Sequence, residues 1–357
     1  MTNILCREHP QPRPEFQSQV IEFLRFPLIV CFIFYHNADY IDNFVHDIHS
    51  MSTPLLDFCM NIFRGPLAFR NQLFFFVSGF LFFINIVQLD ILNYKNKIRN
   101  RLRTLFIPYL SWNFAMFILF FILNIIPQIN VNKEVDWYHF FDYFYQTPIV
   151  YQFWFVRDLM MAVLLTPIIY FFCKKTKIFG VLFLGVLWYF DWWFTITGLS
   201  SVCIFFFTAG AYFGINKRNL IKDFGKIRSL SFVLYPVIAI ADILTMEYDF
   251  NHYIHRVGII MGIIFSFNLV SYWFGKDIIK PTKFLAAATF FVFAVHEPLL
   301  LKMIYRLSLL IFSPQSDLAF TTLFFVNVIL TALGALGLYY FLRRFLPGFT
   351  RIITGGR

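Results

Sequence analysis

The chain has 357 residues, of which 59% are hydrophobic, 22% are aromatic and only 14% are charged. A soluble domain of this length carries nearer a quarter charged residues, so the composition excludes an ordinary soluble protein and indicates a membrane protein. The net charge of +10 is divided among separate segments. This division argues against a nucleic-acid partner, which needs basic groups gathered on one soluble face.

Apolar runs recur along the chain at lengths that suit membrane-spanning helices of about 20 residues. They predict an all-α integral membrane protein with about ten transmembrane helices in one bundle. The predicted spans cover residues 20–36, 67–89, 105–126, 151–172, 178–194, 200–215, 230–246, 256–274, 285–305 and 319–342. We therefore expect a membrane domain at 20–345, an N-terminal segment at 1–19 and a C-terminal tail at 346–357.

Charges in the loops predict the orientation of the bundle. Lysine and arginine concentrate in every second loop, and acidic residues dominate the loops between them. The basic segments are residues 7–13, 95–103, 174–177, 217–228, 276–283 and 343–357. The positive-inside rule then predicts that both termini and all basic loops are cytoplasmic. No small-residue cleavage site follows the first apolar run, so we expect it to remain as a helix.

The first span, LRFPLIVCFIFYHN, contains Arg25 and His36. Eleven helical steps turn ~1100°, which places the two side chains on nearly the same face and roughly 16 Å apart along the axis. Ionisable residues inside a span are costly and are functional candidates by default. Because proline fits best in the first turn of a helix, Pro27 predicts that this span begins near Phe23.

Four further segments carry recognisable patterns. Span 2 contains FFFVSGFLFF at 74–83, and the basic loop KNKIRNRLRTLFIPYL occupies 95–110. Span 4 opens with FWFVRDLMMAVLLTP, and span 9 contains FFVFAVHEPLL. Together with the arginine–histidine spacing of span 1, these segments resemble the acyltransferase 3 family of integral membrane acyltransferases. The resemblance covers most of residues 18–342.

The resemblance implies a multi-pass enzyme of the bacterial inner membrane. Such an enzyme moves an acetyl or similar short acyl group from cytoplasmic acyl-CoA, acetyl-CoA in the first place, to a hydroxyl of a cell-surface or lipid-linked carbohydrate. The donor is a substrate, the membrane lipids surround the bundle, and no metal is expected. A secondary transporter or exporter of a glycan or small anion is the alternative, but the internal repeats typical of transporters are not found.

His36 is the candidate general base, because the pKa of histidine lies near neutrality. Its alternative role is an interfacial histidine beside Asn37 and Asp39. Arg25 is expected to bind a phosphate or polarise the thioester. Its alternative role is a cytoplasmic anchor paired with Glu22.

The cluster of Arg99, Arg101 and Arg103 is expected to bind the phosphates of coenzyme A, because guanidinium groups pair well with phosphate. Positive charge that fixes the orientation in the membrane and faces anionic lipid headgroups explains the cluster equally well. Ser78 and its neighbour Gly79 indicate either a close helix contact or a pocket wall.

Four more residues are expected to support the site. Trp154 belongs to the W-F-x-x-x-L pattern of span 4, and Arg157 follows it in a region that contributes to the site in the family. His296 and Glu297 lie in the middle of a predicted span, where both side chains need polar partners inside the protein. They could orient His36, hold the acceptor or stabilise a broken helix.

A zinc site is the rival interpretation of the remaining histidines. His46 and His49 are three residues apart, as are His252 and His255, and this spacing suits two ligands on one helical turn. No thiolate accompanies either pair, so the sequence favours a metal-free site.

Overall fold

The computed structural model describes residues 14–48, 52–125, 135–194 and 196–356. Most of the expected N-terminal segment and His49 of the first zinc pair lie outside these ranges. Within them the chain is helical and contains no strand. The prediction of an all-α fold is confirmed.

Sixteen α-helices follow one another in the described ranges. They are α1 (Pro14–Ile48), α2 (Pro54–Arg64), α3 (Arg70–Phe83), α4 (Ile91–Arg101), α5 (Ile107–Ile125), α6 (Asp142–Tyr145), α7 (Trp154–Leu164), α8 (Thr166–Tyr189), α9 (Ser201–Ile215), α10 (Leu220–Gly225), α11 (Arg228–Leu244), α12 (Asn251–Gly275), α13 (Lys283–Val295), α14 (Leu301–Ile311), α15 (Asp317–Phe345) and α16 (Pro347–Thr354). Short 3₁₀ turns precede α3 and α7, and π-helical turns precede α5 and α14.

Six helical segments of the described chain are long and apolar enough to cross a membrane. They are Glu15–Asp42, Pro54–Phe83, Ile91–Asn124, Asn251–Gly275, Lys283–Ile311 and Asp317–Phe345. Helices α7 and α8 meet at 64° and make a seventh if they form one broken span. The count of ten spans and the cytoplasmic termini therefore stay predictions.

Helix α8 contains a break that matches the predicted loop between spans 4 and 5. Lys177 has φ 53° and ψ −136°, which interrupts the helix next to the basic turn at 174–177. Half-helices on either side of this break are too short to count as separate spans by length. Helices α9 and α11, in predicted spans 6 and 7, are also short, with 15 and 17 residues. The break and these two short helices account for the difference from the ten spans that hydropathy predicts.

Helix α1 begins earlier than Pro27 suggests. It runs without interruption from Pro14 through Pro27, so the expected start near Phe23 is wrong. The proline costs one backbone hydrogen bond. Packing outweighs this cost, because Val20, Leu24 and Leu28 on both sides of the proline are buried.

Several basic segments meet at one end of the bundle, which we call the basic end. Lys217 Nζ, after α9, donates to the carbonyl of Phe83 at the end of α3 (3.1 Å). The backbone N–H of Leu220 donates to Gln17 Oε1 near the start of α1 (2.6 Å). Helix α16 packs against the start of α5. This grouping is the arrangement that alternating basic loops require.

Helices α3 and α9 cross at backbone contact distance. A Cβ atom on Gly79 would lie 2.1 Å from the carbonyl oxygen of Phe207, and one on Gly210 would lie 1.8 Å from that of Phe76. Only glycine fits at both positions, as in other close helix pairs of membrane proteins. Gly79 therefore makes the close helix contact that the sequence analysis considered for the Ser78–Gly79 pair.

Replacing Gly210 by alanine should destabilise the bundle. The new methyl group meets a backbone carbonyl, which cannot move without shifting α3, so we expect a loss of about 3 kcal/mol. The measurement is the thermal unfolding midpoint of the purified protein in detergent. Gly337→Ala in α15 is the control, since nothing lies within 4 Å of that position. Equal midpoints for the two variants would contradict the assigned contact.

The topology is tested by reporter fusions at Lys217 and after Arg344. Both positions belong to basic segments, so both fusions should report a cytoplasmic location. A fusion within residues 191–194, in an acidic loop, is the control and should report the opposite side. A periplasmic signal from Lys217 or Arg344 would overturn the predicted orientation.

Candidate active site

A cavity of about 300 Å³ opens between α1, α3, α7, α13 and the α4–α5 junction. At the basic end it is lined by Arg25 and Arg101. At its inner end it is lined by Phe32 and Phe293. Its walls between these ends are largely apolar: Ile29, Phe74, Val77, Ser78, Leu81, Thr104, Leu105, Phe155, Val156, Leu159, Ala286, Thr289 and Phe290.

Arg25 and Arg101 are the cationic residues of this cavity. Arg25 lies on α1 and Arg101 is the last residue of α4, and both are half-buried. Neither forms a salt bridge with a carboxylate in the ranges that the structure describes. The charge of Glu22 acts on Arg25 at longer range, as the alternative role as an anchor requires. Two guanidinium groups without a direct salt bridge are suited to an anionic ligand.

The three arginines of the basic loop do not act as one group. Arg101 lines the cavity, whereas Arg99 and Arg103 are exposed and do not. Helical geometry explains the difference. Residues two apart are turned by ~200°, so Arg99 and Arg103 share a face and Arg101 points to the opposite one.

His36 lies just beyond the inner end of the cavity. It is 6% exposed, and its ring centroid is 6.5 Å from that of Phe32 in the cavity wall. His36 Nδ1 is hydrogen-bonded to the hydroxyl of Tyr151. Its Nε2 is buried and has no hydrogen-bond partner among the described residues. A buried ring nitrogen left unsatisfied is unusual in a folded protein and marks His36 as a functional candidate.

Tyr151 connects the site with the opposite end of the bundle. It begins the 3₁₀ turn Tyr151–Phe153 ahead of α7 and is 42% exposed although its hydroxyl reaches the buried His36. A partly exposed residue therefore makes a direct hydrogen bond to the buried His36. The sequence analysis did not single out Tyr151, because an exposed tyrosine at a span end looks like an interface anchor.

His296 and Glu297 occupy a break between α13 and α14. Glu297 has φ −125° and ψ 146°, which ends the helical path inside the π-helical turn His296–Leu300. The Tyr40 hydroxyl donates to Glu297 Oε2 (3.1 Å), and Gln152 Nε2 donates to the Glu297 carbonyl (2.8 Å). The structure therefore supplies polar partners for the buried Glu297.

His296 also stands next to His36. The two imidazole rings lie 5.5 Å apart between centroids at 29°, in a stacked arrangement. His296 Nδ1 lies 3.1 Å from the carbonyl of Val292. Because a carbonyl can only accept, this nitrogen carries the hydrogen and Nε2 of the neutral ring keeps a lone pair. That Nε2 is also buried without a partner in the described chain.

Arg70 is a second feature that the sequence analysis missed. It starts α3, is 4% exposed, and holds its guanidinium 4.2 Å from the ring of Tyr35 and 5.0 Å from that of Phe32. Its Nη1 donates to the carbonyls of Phe63 and Leu67. No salt bridge to it is formed within the described ranges. The signal was present, since a charge inside predicted span 67–89 is unusual.

The remaining candidates take different positions. Ser78 lines the cavity, so the Ser78–Gly79 pair provides a pocket wall and a helix contact at once. Trp154 is half-buried beside Phe75 and does not line the cavity. Phe155, its neighbour in the same motif, does.

Arg157 stabilises the segment that leads to Tyr151. Its Nη1 donates to the carbonyls of Tyr145 and Gln146 (both 2.9 Å), and its Nη2 pairs with the buried carboxylate of Asp158 (2.9 Å). It lies outside the cavity lining. Arg157 therefore holds the loop before α7 in place through these hydrogen bonds.

The second histidine pair does not converge on a common point. His255 Nδ1 lies 3.0 Å from Asp242 Oδ2, whereas His252 is exposed. Among the described residues no group of three or more histidine, cysteine, aspartate or glutamate side chains could hold a metal ion.

The site thus combines two arginines in a cavity with two buried histidines close to the inner end of that cavity. A family model described as "Acyltransferase domain" matches residues 19–341. The chain therefore belongs to the acyltransferase 3 family, and the resemblance drawn from its motifs is confirmed. Comparisons with curated proteins and with solved structures each gave no match.

Proposed function

We propose that the protein transfers an acetyl or similar short acyl group from cytoplasmic acyl-CoA to a hydroxyl of a cell-surface or lipid-linked carbohydrate. Membership of the family supports the reaction class. The observation that carries the proposal is a single cavity with two arginines at the basic end and a buried imidazole just past the other end.

The donor would enter from the basic end. Arg25 and Arg101 would bind phosphates of coenzyme A, for which planar guanidinium groups are well suited. The long neutral arm of the donor would then lie between apolar walls such as Val77, Leu105 and Leu159. In this arrangement the thioester would lie toward Phe32, next to His36.

His36 would act as the general base. The acceptor hydroxyl attacks the thioester carbonyl while Nε2 takes its proton; a C–O bond forms and the C–S bond breaks. The protonated imidazole then returns the proton to the departing thiolate, which leaves as the free thiol of coenzyme A. For Nε2 to accept a proton, Nδ1 must carry the ring hydrogen and donate to the Tyr151 oxygen, so Tyr151 would hold the productive tautomer.

The acceptor would approach from the opposite end of the bundle. Tyr151 is exposed there and touches His36 directly, and Tyr40 and Gln152 present polar groups around Glu297. Donor and acceptor would thus reach one imidazole from two sides. A carbohydrate acceptor rests on the family resemblance and on the need for a hydroxyl nucleophile.

His36→Ala should reduce acyl transfer by ~10²–10⁴-fold, the usual cost of losing a general base. His36→Gln keeps a hydrogen-bonding group without basicity and should be nearly as defective. The measurement is transfer of labelled acetyl from acetyl-CoA to acceptor in membranes, at matched protein levels. His252→Ala, an exposed histidine outside the site, is the control. If His36→Ala retains more than about half of the activity, the base lies elsewhere and His296 is the next residue to test.

Arg101→Gln should weaken acetyl-CoA binding by about 10- to 100-fold, since a hydrogen bond to a charged group is worth about 1.5–3 kcal/mol. Arg99→Gln and Arg103→Gln are matched controls in the same segment, because both side chains are exposed and outside the cavity. Binding is measured with the purified protein in detergent. Unchanged acetyl-CoA affinity after Arg101→Gln would instead favour a role of the basic segment in topology alone.

A further inference from the structure

The segment expected to be a C-terminal tail contains helix α16, which packs into the bundle. Thr350, Ile353 and Thr354 are buried. The indole N–H of Trp112 on α5 donates to the carbonyl of Ile353 (3.0 Å). The helix also contacts α13 and α15. It is therefore a docked element at the basic end, next to the cavity.

Gly355 makes the closest contact of this segment with the cavity wall. It ends α16 in the left-handed conformation, with φ 72° and ψ 27°. A Cβ atom at this position would lie 2.6 Å from both the Cα and the carbonyl oxygen of Thr104. Glycine alone satisfies both conditions, the positive φ and the backbone contact.

Thr104 belongs to an irregular part of the donor cavity. It lies in the π-helical turn Leu102–Phe106, which directly follows Arg101. Arg101, Thr104 and Leu105 all line the cavity. Single π-helical turns are rare, and they are frequent at functional sites. Because such a turn departs from the regular helix, its exact path depends on the groups packed against it.

We propose that α16 and Gly355 position the π-helical turn so that Arg101 faces Arg25 across the cavity. In this role Gly355 is a positioning residue of the donor site, acting through Thr104 and touching no substrate. The inference rests on the proposed function, since it assumes that Arg101 binds the donor. A shift of the turn would move Arg101 and leave His36, Tyr151 and His296 in place. The defect should thus concern donor affinity more than the chemical step.

The test is acetyl-CoA binding to the purified full-length protein in detergent, together with acyl-transfer kinetics in membranes. Gly355→Ala should weaken binding by about tenfold, and should raise KM for acetyl-CoA while leaving kcat within about twofold. Gly348→Ala in the same helix is the matched control, because nothing lies within 4 Å of that glycine. It should bind acetyl-CoA as the unmodified protein does.

A double-mutant cycle separates positioning from general destabilisation. If Gly355 acts through Arg101, adding Gly355→Ala to Arg101→Gln should cost little further affinity, because the two changes remove the same interaction. Fully additive losses would overturn the proposal. Normal binding by a folded Gly355→Ala variant would overturn it too. Failure of the unmodified protein to bind acetyl-CoA would instead refute the proposed function, and the inference with it.

Trp112→Phe is the second variant for this test, to be used if the Gly355→Ala protein does not fold. The substitution keeps an aromatic ring against Phe291, whose centroid lies 5.8 Å from that of Trp112, and removes the donor to Ile353 together with one ring of the indole. Losing one hydrogen bond of about 1 kcal/mol should weaken acetyl-CoA binding by about fivefold. Unchanged binding by this variant would overturn the role assigned to α16.

Discussion

Two imidazole rings buried side by side in an apolar bundle impose the constraint on which the rest of the site depends. Polar groups at this depth must find partners inside the protein, since lipid offers none. Tyr151 satisfies one nitrogen of His36, and the Val292 carbonyl satisfies one nitrogen of His296. The second nitrogen of each ring has no partner in the described chain. Two buried nitrogen atoms without hydrogen-bond partners destabilise the folded protein. Such exceptions are expected at functional sites, where a bound substrate supplies the missing hydrogen bonds.

The break between α13 and α14 and the close packing of α3 on α9 both serve this arrangement. The break lets Glu297 leave the helical path, so that its backbone and carboxylate meet Gln152 and Tyr40. The glycine contact fixes α3 through Gly79, while the adjacent Ser78 faces the cavity. Within α3, Gly79 therefore sets the distance to α9 and the adjacent Ser78 lines the cavity.

The two ends of the bundle have different chemistry, and the cavity lies between them. Basic segments gather at one end, with Arg25 and Arg101 turned into the cavity. The other end presents Tyr151 and the segment that Arg157 clamps. In the proposed reaction, donor and acceptor would reach the same imidazole from these two ends. Helix α16 belongs to the basic end, and the contact of Gly355 with Thr104 joins this helix to the cavity wall.

The sequence by itself determined the membrane class, the family and the shared face of Arg25 and His36, because these depend on composition, motif order and the 100° helical step. The same step already separates Arg101 from Arg99 and Arg103. Only the tertiary structure decided that Tyr151 meets His36, that Arg70 shares Phe32 with it, and that Gly355 touches Thr104. The partners in these contacts lie far apart in the chain or on different helices. No local pattern encodes such pairings, because they follow from how whole helices pack.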